Sequence, residues 1–219
     1  MDPARKEIRH IAIEGVIGAG KTTLAAMIAE RLGGRLVLEK FEENPFLPKF
    51  YEDPEHYAFQ TQIFFLLSRF RQQQEFFQAD LFHNYIISDY IFEKDKIFAY
   101  LTLQDDELKL YEQVMGAVEK KIPAPDLVVY LQSSVERLMT NIRKRARSYE
   151  ANMSEEYIRD LNEAYNYFFF RYKASPLLIV KTTDMDFVEN PQDFEDLLQQ
   201  ILRPSRAPVE YYNPMKKGM

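Results

Sequence analysis

The chain has 219 residues, 46% of them hydrophobic, with 28 basic residues, 34 acidic residues and no cysteine. That length and apolar content suit one α/β domain with a full core, and the formal net charge of −6 removes the general attraction that nucleic-acid polymers require. The absence of cysteine rules out disulfides and thiolate metal sites and fits a reducing cytosol, so the expected compartment is cytoplasmic.

The apolar run from Ile8 to Ile13 predicts a buried first strand, too close to the start to leave room for a signal or transit peptide. It leads into Gly15-Val16-Ile17-Gly18-Ala19-Gly20-Lys21-Thr22, which fits the phosphate-loop spacing, and Thr23 to Leu32 reads as the helix that leaves it. Glycines let the backbone curl until successive N–H groups point at phosphate oxygens, and the helix adds the positive end of its dipole. Lys21 reaches the outer phosphates, and the Thr22 hydroxyl can ligate magnesium. Residues 15–23 therefore predict a nucleoside triphosphate site.

Arg35 to Glu39 is the second predicted strand. A turn-rich stretch with Asn44, Pro45 and Pro48 follows. A long helix from about Glu55 to Phe82 carries Phe59, Ile63, Leu66, Leu67 and Phe70 at helical period. Tyr85 to Ser88 is a third strand ending in Asp89, followed by helices over roughly 92–101 and 105–121. Asp126 to Leu131 is a fourth strand, after which Ser133 and Glu136 predict a capping box for a helix with a basic end, Arg143, Lys144, Arg145 and Arg147. Another helix starts near Ser154, Leu177 to Val180 is the last strand, and a final helix opens at Asn190-Pro191.

Strands alternating with helices predict a three-layer α/β phosphate-loop kinase fold, a five-stranded parallel sheet flanked by helices, in one domain over residues 1–203. The segment 204–219 contains Pro204, Pro208 and Pro214 without periodicity, and is expected to drape over the surface or to be disordered. No apolar run is long enough to span a bilayer, so no membrane partner is expected.

Several polar residues stand where chemistry is placed in such folds. Glu39 lies at the carboxyl end of a strand, where open parallel sheets present their ligands. Asp89 ends another strand and can reach the magnesium ion held by Thr22, directly or through water; as a bland alternative it caps a helix. Arg145 and Arg147 close a basic cluster that an anion would relieve, although basic residues also complement a helix C-terminus. Gln62 and Arg69 are seven residues apart, two turns of the long helix, and share one of its faces.

Together these pieces resemble the deoxynucleoside kinase family. The resemblance runs through Ile13-Glu14-Gly15, Glu39, Tyr51-Glu52-Asp53-Pro54-Glu55, Gln62 with Leu67-Ser68-Arg69, Asp89 to Asp95, and Arg145-Ala146-Arg147 with Glu150. The Glu43-Asn44-Pro45-Phe46-Leu47 stretch is similar to bacterial purine deoxynucleoside kinases. The resemblance implies that Glu39 is the general base for the 5′-hydroxyl, and that Arg145 and Arg147 form a lid over the transferring phosphoryl. It also implies that Gln62 pairs with the base edge, that Arg69 and Asp95 shape the far end of the base pocket, that Tyr51 and Glu150 hold the sugar 3′-hydroxyl, and that Phe59 stacks on the base. ATP with magnesium is the implied donor, and a homodimer the implied assembly. The family usually has arginine after the acid at Asp89; here the residue is Tyr90, so another cation must compensate.

Asp95 accepts hydrogen bonds and suits a base with an exocyclic amine. Thymine offers none, so a purine deoxynucleoside is expected, with deoxycytidine possible and thymidine poor. Two other readings share the loop: a nucleoside monophosphate kinase of the thymidylate kinase type, for which Arg69 and Arg71 would hold the acceptor phosphate, and a non-catalytic nucleotide-binding regulator.

Overall fold

A computed structural model describes residues 8–77, 83–119, 122–150 and 153–214. The expected helix end over 78–82, the helix end over 120–121 and the extreme tail over 215–219 lie outside the described residues. The strands are β1 (His10–Gly15), β2 (Arg35–Val37), β3 (Ile86–Ser88), β4 (Leu127–Gln132), β5 (Leu177–Lys181) and β6 (Val209–Tyr212). They form one sheet in the order β2-β3-β1-β4-β5-β6, every adjacent pair parallel. Every residue of β1 is buried, whichever way its side chain points. Such a strand is covered on both faces, which is why its sequence reads as an apolar run rather than an alternation.

The helices are α1 (Lys21–Leu32), α2 (Leu47–Glu52), α3 (Pro54–Phe77), α4 (Lys94–Thr102), α5 (Asp105–Val118), α6 (Val135–Arg145), α7 (Glu155–Arg171) and α8 (Pro191–Ile201). The main core joins β1, β4 and β5 to α1, α6, α7 and α8 through residues such as Ile13, Leu24, Val129, Leu138, Tyr165 and Leu198. A second cluster packs α3, α4 and α5 around Leu66, Ala99, Tyr111 and Met115. None of the described helices is long and apolar enough to cross a membrane.

Two local expectations are corrected. The sheet has six strands, not five. Val209–Tyr212, expected in the aperiodic tail, pairs in parallel with β5, with Leu177 opposite Val209 and Ile179 opposite Tyr211. Four residues are too few to show a period, and Arg206 supplies the anchor by donating to the carbonyls of Gln200 and Ile201 at 2.9 and 2.7 Å. The N-cap of α6 is Ser134, whose hydroxyl accepts from the Arg137 N–H at 3.3 Å, rather than Ser133. The cap at Asn190, followed by Pro191, is found where expected, and the helix expected to start near Ser154 has that residue as its N-cap.

Candidate active site

The loop after β1 emerges between β3 and β4, at the carboxyl ends of the strands, where parallel sheets form their crevice. Gly18 has φ 86, and a Cβ there would meet the Leu138 carbonyl at 2.6 Å, so only glycine lets the loop lie against α6. Asn141 of α6 secures this contact by donating to the Gly18 carbonyl at 2.8 Å. The loop opens directly into α1, whose first residue is Lys21. The Lys21 ammonium folds back on the Gly15 and Val16 carbonyls at 2.8 and 3.2 Å. Burial, with the charge of Lys94, pulls its pKa down to about 8 against the opposing pull of Glu14, Glu39 and Asp89.

The ends of β2 and β3 are tied to the start of α1 beside this lysine. Thr22 donates to Asp89 Oδ2 at 2.6 Å, and Asp89 Oδ1 accepts the backbone N–H of Glu39 at 2.7 Å. Asp89 is therefore not a helix cap; α4 starts five residues later, with Glu93 at its N-cap. The hydroxyl and carboxylate oxygens of Thr22 and Asp89 are hard donors in contact, a fit for magnesium, which takes few protein ligands and fills its shell with phosphate oxygens and water. No cluster of three or more His, Asp or Glu able to hold a metal by themselves occurs among the described residues.

Glu39 sits in a cage of cations. Arg69 donates through Nε to Oε1 at 2.9 Å and also engages that oxygen through Nη2. Lys94 donates to Oε2 at 2.7 Å. Burial opposes ionisation of Glu39, yet Arg69 and then Lys94 outweigh it and hold the carboxyl well below the usual carboxylate range. The expected pair between Arg69 and Asp95 is formed through Nη1, and the Asp95 Oδ2 is buried without a hydrogen-bond partner. Arg69 also lies over the Phe65 ring at 4.8 Å.

Two clefts meet at this point. One is lined by Glu39, Tyr51, Gln62, Phe65, Arg69, Asp89, Lys94, Phe98 and Glu150, among others. The other follows the phosphate loop between α6 and the segment after β5, lined by Gly18, Ala19, Gly20, Thr23, Arg137, Asn141, Lys144, Asp186 and Phe187. Lys21, Thr22, Arg145 and Arg147 line both. Arg145 grips Glu150 with two hydrogen bonds of 2.7 and 2.5 Å, and Arg147 lies 3.6 Å from the same carboxylate while stacking over Phe41 at 4.2 Å. Tyr51 stacks on Tyr149, with ring centroids 6.0 Å apart, at the side of the first cleft.

Two expected nucleoside-pocket residues do not line the cleft: Asp95 is fully buried behind Arg69, and Phe59 faces away. Along α3, Gln62, Phe65 and Arg69 share the cleft face. Phe59 runs instead with Ile63, Leu66 and Phe70 on the stripe packed against α4 and α5, so it lies in the core and does not line the cleft. Gln62 reaches Thr102 at 3.4 Å. The basic cluster also divides, since Lys144 lines the second cleft while Arg143 is exposed.

Sequence reasoning missed several contributors. Lys94 sits in the alternating run Glu93-Lys94-Asp95-Lys96, which looks like a solvated helix face, yet it is 4% exposed. Glu14, within the apolar first strand, is fully buried, with Oε1 3.8 Å from the Lys94 ammonium. Burial raises its pKa to about 7, against Lys94 and Lys21. Asn141, Asp186 and Phe187 come from elements distant in sequence, and only the fold brings them to the loop.

The model of the deoxynucleoside kinase family matches residues 11–204 of this chain. A deoxyguanosine kinase of Bacillus subtilis (strain 168) is 35% identical over 198 residues, covering 87% of this chain and 95% of the relative. A deoxyadenosine/deoxycytidine kinase of the same organism is 31% identical over 198 residues, with 87% and 90% covered. Among solved structures, a deoxyadenosine kinase from M. mycoides with bound dCTP superposes with a TM-score of 0.76 at 29% identity, covering 88% of this chain and 98% of that one.

Proposed function

Because this chain belongs to the deoxynucleoside kinase family and is an ATP-dependent phosphotransferase, we propose that it transfers the γ-phosphoryl of ATP to the 5′-hydroxyl of deoxyadenosine or deoxyguanosine. Deoxycytidine is a secondary substrate and thymidine a poor one, and the reaction serves nucleotide salvage in the cytoplasm. The observation that carries this reading is that the two clefts share Lys21, Thr22, Arg145 and Arg147. A triphosphate along the loop and a nucleoside in the first cleft would meet at that junction, in the proximity that phosphoryl transfer requires.

In this reading Glu39 accepts the hydrogen of the attacking hydroxyl, and the loop N–H groups with Lys21 hold the donor phosphates. Magnesium, held through Thr22 and Asp89, would supply charge neutralisation on the phosphates. Arg145 and Arg147 neutralise the equatorial oxygens of the moving phosphoryl. Tyr51 and Glu150 hold the 3′-hydroxyl, and Gln62 meets the base edge. The Phe65 and Phe98 rings take the stacking position first expected of Phe59.

The orphaned Oδ2 of Asp95 favours a base that brings an exocyclic amine, because a buried acceptor without a donor costs about 1–3 kcal/mol. The named relatives act on deoxyguanosine, deoxyadenosine and deoxycytidine. A monophosphate acceptor is disfavoured because Arg69 is committed to Glu39 and Asp95, while Arg71 is exposed and lies outside the cleft. A homodimer is supported by Tyr100 of α4 and Tyr167 and Phe170 of α7, large rings 60%, 64% and 77% exposed.

The deciding experiment is steady-state kinetics with the four deoxynucleosides and their monophosphates, on wild type and Glu39→Gln. The purine nucleosides should be the best acceptors, and the variant should lose turnover with binding largely kept. Transfer to monophosphates alone, or unchanged turnover in Glu39→Gln, overturns the reading.

A further inference from the structure

The cleft contains a cation that the fold alone does not favour. Lys94 is the first residue of α4, where the helix dipole presents its positive end and a lysine is the wrong charge. It is also 4% exposed, so its ammonium has given up water. Two carboxylates from other elements compensate: Glu39 beyond β2, at 2.7 Å, and Glu14 in β1, at 3.8 Å. Glu39 lines the cleft, whereas Glu14 is fully buried in β1 behind it. Tyr90, which follows Asp89, brings no charge of its own, because its buried ring lies beside Val37 and its hydroxyl donates to Gln72 at 2.9 Å.

The ammonium carries three donors in flexible geometry. One is spent on Glu39 Oε2, while Glu14 Oε1 lies 3.8 Å from the nitrogen, beyond hydrogen-bond distance. A hydroxyl that donates to Glu39 would come within hydrogen-bond reach of a remaining donor.

We propose that Lys94 is a catalytic cation of the transfer, holding Glu39 in place and contacting the acceptor oxygen as it bonds to phosphorus. This inference rests on the reading that the acceptor hydroxyl docks at Glu39. In the step, the acceptor oxygen forms a bond to the γ-phosphorus, and the bond from that phosphorus to the bridging oxygen of ADP breaks. The hydroxyl hydrogen passes to Glu39, and Lys94 keeps all its protons. Its charge stabilises the oxygens on which negative charge is concentrated, and water is excluded from the contact.

The test is kinetics of Lys94→Gln and Lys94→Arg beside Glu39→Gln, with ATP and deoxynucleoside affinities measured by calorimetry. Lys94→Gln should lower kcat by about a hundredfold or more while the dissociation constants move less than about threefold, a loss confined to the transition state. Lys94→Arg should recover part of that loss. Should Lys94→Gln not fold, Glu14→Gln/Lys94→Gln, which removes the carboxylate left stranded, is compared with Glu14→Gln alone. A kcat within about threefold of its reference, or a loss matched by weaker binding, overturns the proposal. Impaired Lys94→Gln with unaffected Glu39→Gln would instead remove Glu39 as the base and leave the cation, so the two claims fail separately.

Discussion

Arg69 donates to Glu39 through its Nε at 2.9 Å, and the same guanidinium holds Asp95 on its other side. One side chain thus fixes both the carboxylate proposed for proton transfer and the one proposed for base recognition. Arg69→Met would strand the buried Asp95 and leave Glu39 to Lys94 alone. It is expected to destabilise the fold by about 3–5 kcal/mol, read by urea denaturation. Arg69→Lys keeps the charge without the fork and should lose less stability, yet still weaken nucleoside binding.

Asp95→Asn tests base recognition apart from chemistry. The amide keeps an acceptor but turns a donor toward the base or the arginine. The kcat/KM for deoxyadenosine and deoxyguanosine should fall by about 5- to 150-fold, corresponding to about 1–3 kcal/mol, with thymidine falling less. An equal loss for all four nucleosides would assign Asp95 a structural role.

Chelation should abolish activity and added magnesium should restore it. Asp89→Asn should raise the magnesium concentration needed for half-maximal rate, because the Thr22 and Asp89 oxygens touch at 2.6 Å. A titration of rate against free magnesium, wild type beside variant, measures this.

Glu14 gives the protein a pH dependence of definite sign. Its carboxyl titrates near 4.5 when unfolded and at about 7 when folded, with burial the main cause. Between those values the folded chain binds the extra proton, so stability falls as pH rises from about 4.5 to about 7 and is flat above. The full swing is on the order of 3 kcal/mol. Glu14→Gln removes the slope, and the difference between the two melting curves across this window isolates it.

Ala146 ends α6 in the left-handed region, φ 50, the only non-glycine residue with positive φ among the described residues. Ala146→Gly should relieve roughly 1–2 kcal/mol of backbone cost and raise Tm. Arg145 and Arg147 flank this position, so added freedom there should also slow turnover by loosening the lid.

What was legible in the sequence had a local or familiar signature. The phosphate loop is contiguous, so its glycines, Lys21 and Thr22 announce themselves, and buried parallel strands betray themselves as apolar runs. Glu39 and Asp89 are marked by their strand ends and, with Arg69, by the family resemblance; these three meet in one cleft, with Asp95 buried behind Arg69. Lys94 is hidden in the sequence because an alternating charge run normally faces water; only its ion pairs with Glu39 and Glu14 show that it does not. Phe59 is ambiguous in the sequence because α3 is aromatic on two stripes, and residue type alone cannot say which one faces the cleft. Ser133 and Ser134 both offer a hydroxyl, and the one-residue difference depends on where the helical dihedrals begin. The sixth strand was missed because its pairing depends on β5 already being in place.

That sixth strand matters for how the protein is handled. Residues matched by the family end at 204, five positions before Val209 takes its place beside Leu177. A fragment trimmed to the shared boundary would strip the cover from β5 and leave its amide and carbonyl row open to any passing chain, an invitation to sticky, self-templating association. Expression clones should therefore run through Tyr212, and poor solubility of shorter ones would reflect that lost border rather than a defect in the catalytic centre.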